Sequence, residues 1–199
     1  MIIFYISCMA NSKNLPTDYV QYSRLAKTTF KNQALPYLNR FAFRYRLAVS
    51  FKGIIAPEVG KTLVGYNTLT KIFLAYTAYE AVTTACKVLR VNGLTYRPDI
   101  VILDPILAEK IQTNVALKAY LFSSRFSIEL QEKLNLFYSE PIGDVSTIAS
   151  ALRNVYAHGD LTASVVGAEK VKHRKNLDEL ATKVLEFSDD AFSRCIARL

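Results

Sequence analysis

The sequence predicts an all-α protein, a helical bundle, and three observations carry that expectation. Helix-forming residues dominate. The runs between helix-breaking residues are long, because 199 residues hold only 7 Gly and 6 Pro. No stretch shows sustained alternation of apolar and polar residues bounded by turn signals, which is the mark of a half-buried strand. With 51% hydrophobic residues the chain is a packed globular protein and not a disordered one. No composition break asks for a second domain, so a single α-helical domain over residues 1–199 is expected.

Taken in order, the chain opens on the apolar run Met1 to Cys8. It is too short to span a bilayer and has no basic residue before it, as a signal peptide requires. Residues 1–12 are therefore expected to be a disordered tail, or a start assigned too early with Met9 as the true one. Asn14-Leu15-Pro16-Thr17-Asp18 reads as a helix entry, with Thr17 or Asp18 as cap and the helix running to about Gln33. A second helix starts near Pro36 and fades around Gly53 to Pro57. These two make up a basic N-terminal helical region, residues 17–57, followed by the bundle proper, residues 61–199. From Lys61 or Leu63 to Val91 lies the longest helix, closed by Asn92-Gly93. Its middle, Ile72 to Val82, is apolar nearly all round, which calls for a buried position in the bundle.

Asp104-Pro105 is an N-cap followed by Pro at the first helical position, opening a helix through Ile111 that bends near Thr113-Asn114 and goes on to Phe122. Another short helix, roughly Ser127 to Tyr138, carries Ile128, Leu130, Leu134 and Phe137 in irregular amphipathic spacing, and Glu140-Pro141-Ile142-Gly143 is a break. Asp144 caps the next helix, which carries Ile148, Ala151, Leu152 and Val155 on its apolar face and ends at Gly159. A loop follows, then a basic cluster of Lys170, Lys172, His173, Arg174 and Lys175, read as solvated surface, with RNA contact as the alternative. Asn176-Leu177-Asp178-Glu179 resembles a capping box, so the last helix is expected to begin there and run to near Arg198, with Leu180, Val184, Phe187 and Phe192 or Cys195 inward.

Charge is distributed unevenly. Up to Pro98 there are 13 Lys and Arg against 3 Asp and Glu, whereas from Asp99 onward the balance is 12 against 14. Between Tyr19 and Pro57 no acid occurs, and Arg40, Arg44, Arg46 and Lys52 are interleaved with Phe41, Phe43, Tyr45 and Phe51. Basic side chains bind phosphates and aromatic faces stack on unpaired bases, so Arg40, Arg44, Arg46 and Lys52 are candidate RNA contacts. The competing reading makes the aromatics core and the charges a solvated helix face. Glu80 is the one acid between Val59 and Pro98. In so apolar a helix its carboxyl must reach an edge, take a proton or find a partner, either as a structural residue or as part of an active site.

The cysteines, Cys8, Cys86 and Cys195, form no C-x-x-C pair and have no nearby histidine, so a cytoplasmic protein without structural zinc is expected. No long apolar run passes about 18 residues without a charge, so no membrane span and no membrane partner are expected. Phosphate-cradling glycine loops, dinucleotide fingerprints, paired-histidine zinc motifs and the G-x-S-x-G elbow are all absent, and no cofactor is called for.

One stretch carries chemistry: Arg153-Asn154-Val155-Tyr156-Ala157-His158-Gly159. Histidine is scarce, with only 2 in the chain. A neutral imidazole at position 158 is able to take the proton from a ribose 2′-hydroxyl. The Arg153 guanidinium suits a phosphate, and Asn154 is suited to orient the histidine or the substrate. Five residues separate Arg153 from His158, about 140° on a straight helix, so the two do not point at one atom unless His158 sits on a fraying last turn or a second chain supplies the other side. The same residues also fit a helix-terminal histidine bonded to backbone beside a structural arginine.

This run resembles the signature of the HEPN superfamily, small all-helical proteins that share Arg, four to six residues, then His, often with a polar residue directly after the Arg. Here the match is Arg153, Asn154 and His158, and Glu80 in its apolar helix is similar to the aromatic-then-Glu feature of some members. The resemblance covers the motif and the helical layout from Leu69 to Leu199. It implies a four- or five-helix core, a homodimer in which two Arg-Asn-His sets share a cleft, and metal-independent endoribonuclease activity on RNA, with Arg153, Asn154, His158 and Glu80 as catalytic residues. It further implies a toxin or defence role with a cognate antitoxin or nucleotidyltransferase as partner. One subgroup, silenced by nucleotidylation, carries Tyr two residues after the histidine, where this chain has Asp160. The alternative is a non-catalytic helical dimer that binds RNA or a protein partner through the basic N-terminal half.

Overall fold

Helices dominate, as the sparse Gly and Pro lead one to expect. A computed structural model describes residues 3–6, 14–28, 32–55, 60–89, 101–140, 143–159 and 161–199, and among these there are eight helices and two short strands. In chain order they are β1 (Ile3–Ile6), α1 (Tyr19–Thr28), α2 (Leu35–Ser50), β2 (Phe51–Ile55), α3 (Gly60–Leu89), α4 (Pro105–Gln112), α5 (Val115–Ser123), α6 (Ile128–Ser139), α7 (Val145–Ala157) and α8 (Val171–Ile196). The all-α class therefore holds.

Three local expectations are corrected. The helix expected to fade at Gly53 to Pro57 stops at Ser50, and Phe51–Ile55 pairs with Ile3–Ile6 as a two-stranded sheet. An aromatic and two β-branched residues surround Gly53, whose φ of 131° no helix accepts. Ile54 N–H is taken up by Asn67 Oδ1 at 2.7 Å. Part of the expected N-terminal tail is thus strand. The first helix is described over Tyr19–Thr28, and residues 29–31, where its expected run toward Gln33 continues, fall outside the described residues. The last helix starts at Val171, five residues before the supposed capping box, and Asn176 lies inside it, buried, with Nδ2 donating to the Lys110 carbonyl at 3.2 Å. The expected Asn92-Gly93 stop and Asp160 fall outside the described residues.

Two compact units are described in turn. Unit 1 comprises Met1–Tyr5, Lys52–Phe73 and Val101–Lys183, and unit 2 comprises Ile6–Phe51, Leu74–Ile100 and Val184–Leu199. The helix α3 matches the expectation of burial: no residue from Gly65 to Cys86 is exposed.

Unit 1 is built from α4 to α7 with the first parts of α3 and α8. Its helix starts follow local capping chemistry. Asp104, Asn114, Ser127 and Asp144 each accept a backbone N–H of the first turn of α4, α5, α6 and α7; such a cap contributes about 1 kcal/mol. Leu107, Ile111, Leu117, Leu121, Leu134 and Ile148 are fully enclosed, whereas Ile128 is 81% exposed. Gly65 lets α3 approach the turn before α8, since a Cβ there would lie 2.6 Å from that of Ala163.

Unit 2 is held by aromatic packing. Phe41 and Phe192 are fully buried with ring centroids 4.9 Å apart, and Tyr22 meets Phe192 edge-on at 5.4 Å. The Tyr22 hydroxyl donates to Asn39 Oδ1 at 2.7 Å, and burial pushes its pKa up to about 12, with Tyr19 adding to the rise. Buried Cys86 and Cys195 are free thiols in contact at 2.7 Å.

Candidate functional site

The helix α7 carries the motif, and both of its ends are fixed. At the N-terminus the Asp144 carboxylate accepts from the backbone N–H of Ser146 at 3.1 Å, the Ser146 hydroxyl at 2.6 Å, the Thr147 hydroxyl at 3.1 Å and the Ile102 N–H at 3.2 Å. The preceding strand-like segment adds two backbone bonds, Asp104 N–H to the Gly143 carbonyl at 2.8 Å and Val145 N–H to the Ile102 carbonyl at 2.9 Å. Gly143 occupies a left-handed φ of 67° and its Cα faces Pro105 so closely that a Cβ would sit 2.9 Å from the proline backbone. Seven residues of α7 between Val145 and Leu152 are buried, which leaves the helix little freedom to rotate.

Near the other end Tyr156 faces α3. Its hydroxyl lies 2.6 Å from Thr70 Oγ1 and its ring 5.3 Å from that of Phe73. His158 is the C-cap of α7, with φ −83° and ψ −5°, and its backbone N–H still donates to the Asn154 carbonyl at 3.2 Å. Gly159 follows at φ 77°, the left-handed conformation that ends a helix. His158 therefore sits on the last turn, exposed, and not on the regular body of the helix.

That turn forms one wall of an open cleft of about 500 Å³. Asn154, Val155 and His158 line this wall. The opposite wall is the end of α5 and the connection to α6: Tyr120, Ser123 and the run Ser124-Arg125-Phe126-Ser127. Arg153 does not line it. Its Nη1 donates to Asn154 Oδ1 at 3.1 Å, so the carboxamide oxygen is occupied and the Asn154 NH2 remains the group available as a donor. The structure thus brings Asn154 and His158 to one cleft and sets Arg153 behind Asn154, as the five-residue spacing on a helix leads one to expect.

Glu80 belongs to unit 2. It is half-buried on α3, and its backbone carbonyl accepts the hydroxyls of Thr83 at 3.1 Å and Thr84 at 2.8 Å. Of the candidate RNA contacts, Arg40 and Arg46 are exposed on α2, with the Arg40 guanidinium 5.6 Å from the centre of the Tyr37 ring. Arg44 is half-buried and donates to the Thr77 carbonyl at 2.8 Å, a structural bond. Lys52 is exposed on β2, in unit 1. The cleft adds residues that sequence reasoning passed over, above all Arg125, Tyr120 and Phe126. A lone arginine between Ser124 and Phe126 carries no spacing signal, and only packing of the connection against α7 brings it to His158.

No family model, curated protein or solved structure matches the chain. The functional reading rests on the motif and on this cleft.

Proposed function

We propose that the chain is a HEPN-like, metal-independent endoribonuclease that acts as a homodimer, with a toxin or defence role and a cognate antitoxin or nucleotidyltransferase as partner. The observation that supports it is the meeting of Asn154 and His158 in one solvent-open cleft at the end of α7. In the reaction the neutral His158 imidazole takes the proton of a ribose 2′-hydroxyl. The 2′-oxygen bonds to the adjacent phosphorus, the bond from phosphorus to the 5′-oxygen breaks, and the leaving oxygen takes up a proton to become a hydroxyl. The products are a 2′,3′-cyclic phosphate and a 5′-hydroxyl end. The Asn154 amide is placed to donate to a non-bridging phosphate oxygen, where charge builds up in the transition state.

The test is cleavage of single-stranded RNA in EDTA by the full chain and by His158→Ala. A loss of about 100-fold or more is expected, the scale of one general base. Equal cleavage by the variant would remove the proposal.

A second reading, a non-catalytic RNA-binding helical dimer, is favoured by α2, where Phe43 is 69% exposed between exposed Arg40 and Arg46. Salt-dependent RNA binding without cleavage, lost in Arg40→Ala/Arg46→Ala, would select it.

A further inference from the structure

We propose that Arg125 is the phosphate-binding residue of the His158 cleft and that Arg153 is a positioning residue that acts through Asn154. This inference rests on the cleft being a nucleic-acid site, and it moves the guanidinium role away from the arginine of the motif.

A phosphodiester needs hydrogen-bond donors, preferably cationic, and no competing carboxylate. Among the described residues that line the cleft there is no Asp or Glu, and Arg125 is the one residue that is always cationic. The serines do not substitute for it. Ser123 and Ser124 each donate their hydroxyl hydrogen to the Tyr120 carbonyl, at 2.8 and 2.9 Å, which leaves them as acceptors that face a phosphate unfavourably. Ser127 accepts the Leu130 N–H through its Oγ at 3.3 Å and keeps its own hydrogen to donate. On the facing wall the Asn154 NH2 and the His158 ring complete the set. Arg153 is excluded from this set because its Nη1 bonds Asn154 and it does not line the cleft.

Arg125 is exposed, and no ion pair holds it among the described residues. It is therefore available to a ligand, while its backbone is held between the capped start of α6 and the last turn of α5. The cleft volume of about 500 Å³ is that of a small-molecule site, enough for one nucleotide and its phosphate. Tyr120 and Phe126 add to the same wall the residue type on which an unpaired base stacks. The ligand class is a single-stranded nucleotide phosphodiester whose phosphate lies between Arg125 and His158.

The scarcity of histidine makes the test direct. Only His158 and His173 contribute imidazole signals in a proton spectrum, and His173→Gln assigns them. The probe is a dinucleoside monophosphate that lacks the attacking 2′-hydroxyl, titrated into the full chain at several salt concentrations. The His158 signal is expected to move on binding. Arg125→Ala is expected to weaken binding about tenfold and to reduce the dependence of log affinity on log salt by about one contact, while Arg125→Lys keeps that salt dependence. Arg153→Ala is expected to shift the Asn154 side-chain amide signals and leave the salt dependence as in the wild type. Far-ultraviolet circular dichroism checks that each variant is folded. A His158 signal unmoved at saturating probe, or a salt dependence that falls with Arg153→Ala and not with Arg125→Ala, overturns the inference. RNA cleavage that needs His158 but not Arg125 would also overturn it and leave the ribonuclease reading standing. Arg125-dependent binding without any cleavage would support it and remove the ribonuclease reading.

Discussion

The Tyr156 hydroxyl lies 2.6 Å from Thr70 Oγ1, and Tyr156 is the donor. Thr70 has one hydroxyl hydrogen and gives it to the Tyr66 carbonyl at 2.8 Å, so only its lone pair is left for the tyrosine. This bond ties the last turn of α7, two residues before His158, to α3. Tyr156→Phe keeps the ring against Phe73 and removes only the bond. It is expected to lower unfolding stability by about 1 kcal/mol, the usual net value of one such bond. Urea denaturation measures it, and unchanged stability would mean that the pair contributes nothing.

At the far end of the same helix, Asp144 binds four donors through one carboxylate, three from the first turn of α7 (the N–H and hydroxyl of Ser146 and the hydroxyl of Thr147) and one from Ile102. Asp144→Ala removes the cap and leaves the Ile102 N–H without its carboxylate. A loss of about 2 kcal/mol is expected, the upper end of measured N-cap substitutions. Asp144→Ser, which restores only the cap, should recover roughly half of it. Recovery to wild-type stability would show that the link to Ile102 is silent.

The features that were legible in the sequence are the ones whose chemistry is local. Asp104-Pro105, Ser127 and Asp144 each announce a helix start because the bond they make lies within three residues. His158 followed by Gly159 announced the end of α7 for the same reason. Asn176 misled because a side chain with capping chemistry was used across the fold, on the Lys110 carbonyl, while α8 had already begun at Val171. Phe51–Ile55 is too short for its period to register, and its strand exists through pairing with β1. Arg125 left no trace, since nothing in a sequence says which loop will pack against the end of a helix 30 residues further on.

Close approach sets a third expectation. A Cβ at position 65 would lie 2.6 Å from Ala163 Cβ and 3.3 Å from that of Ala168. Both neighbours are buried methyl groups with no flexible chain to move aside. Gly65 sits in a helix, so alanine would raise local helix propensity by about 1 kcal/mol, but the overlap costs about 1–3 kcal/mol. Gly65→Ala is therefore expected to destabilise in net terms, and a rise in melting temperature would refute the packing seen here.

The second histidine makes stability depend on pH. His173 Nδ1 is enclosed without a hydrogen-bond partner, and the residue lines a small cavity together with Ile111, Asn114, Leu117 and Leu177. Burial lowers its pKa below the ordinary 6.5, and the nearby Lys170 and Lys172 charges lower it further. The folded ring thus stays neutral at a pH where the unfolded chain already binds a proton. Between those two values the unfolded state holds the extra proton, so stability rises with pH there. The contribution of His173 is complete above about pH 6.5 and is lost as pH falls below it, through the folded pKa. His173→Gln, which cannot take up a proton, should show a shallower loss of stability than the wild type between about pH 7 and 5 in chemical denaturation. The carboxylates that also titrate toward acid pH are shared by both proteins, so the difference between the two curves isolates the histidine. Parallel curves over that range would mean that the ring is protonated in the fold as readily as out of it.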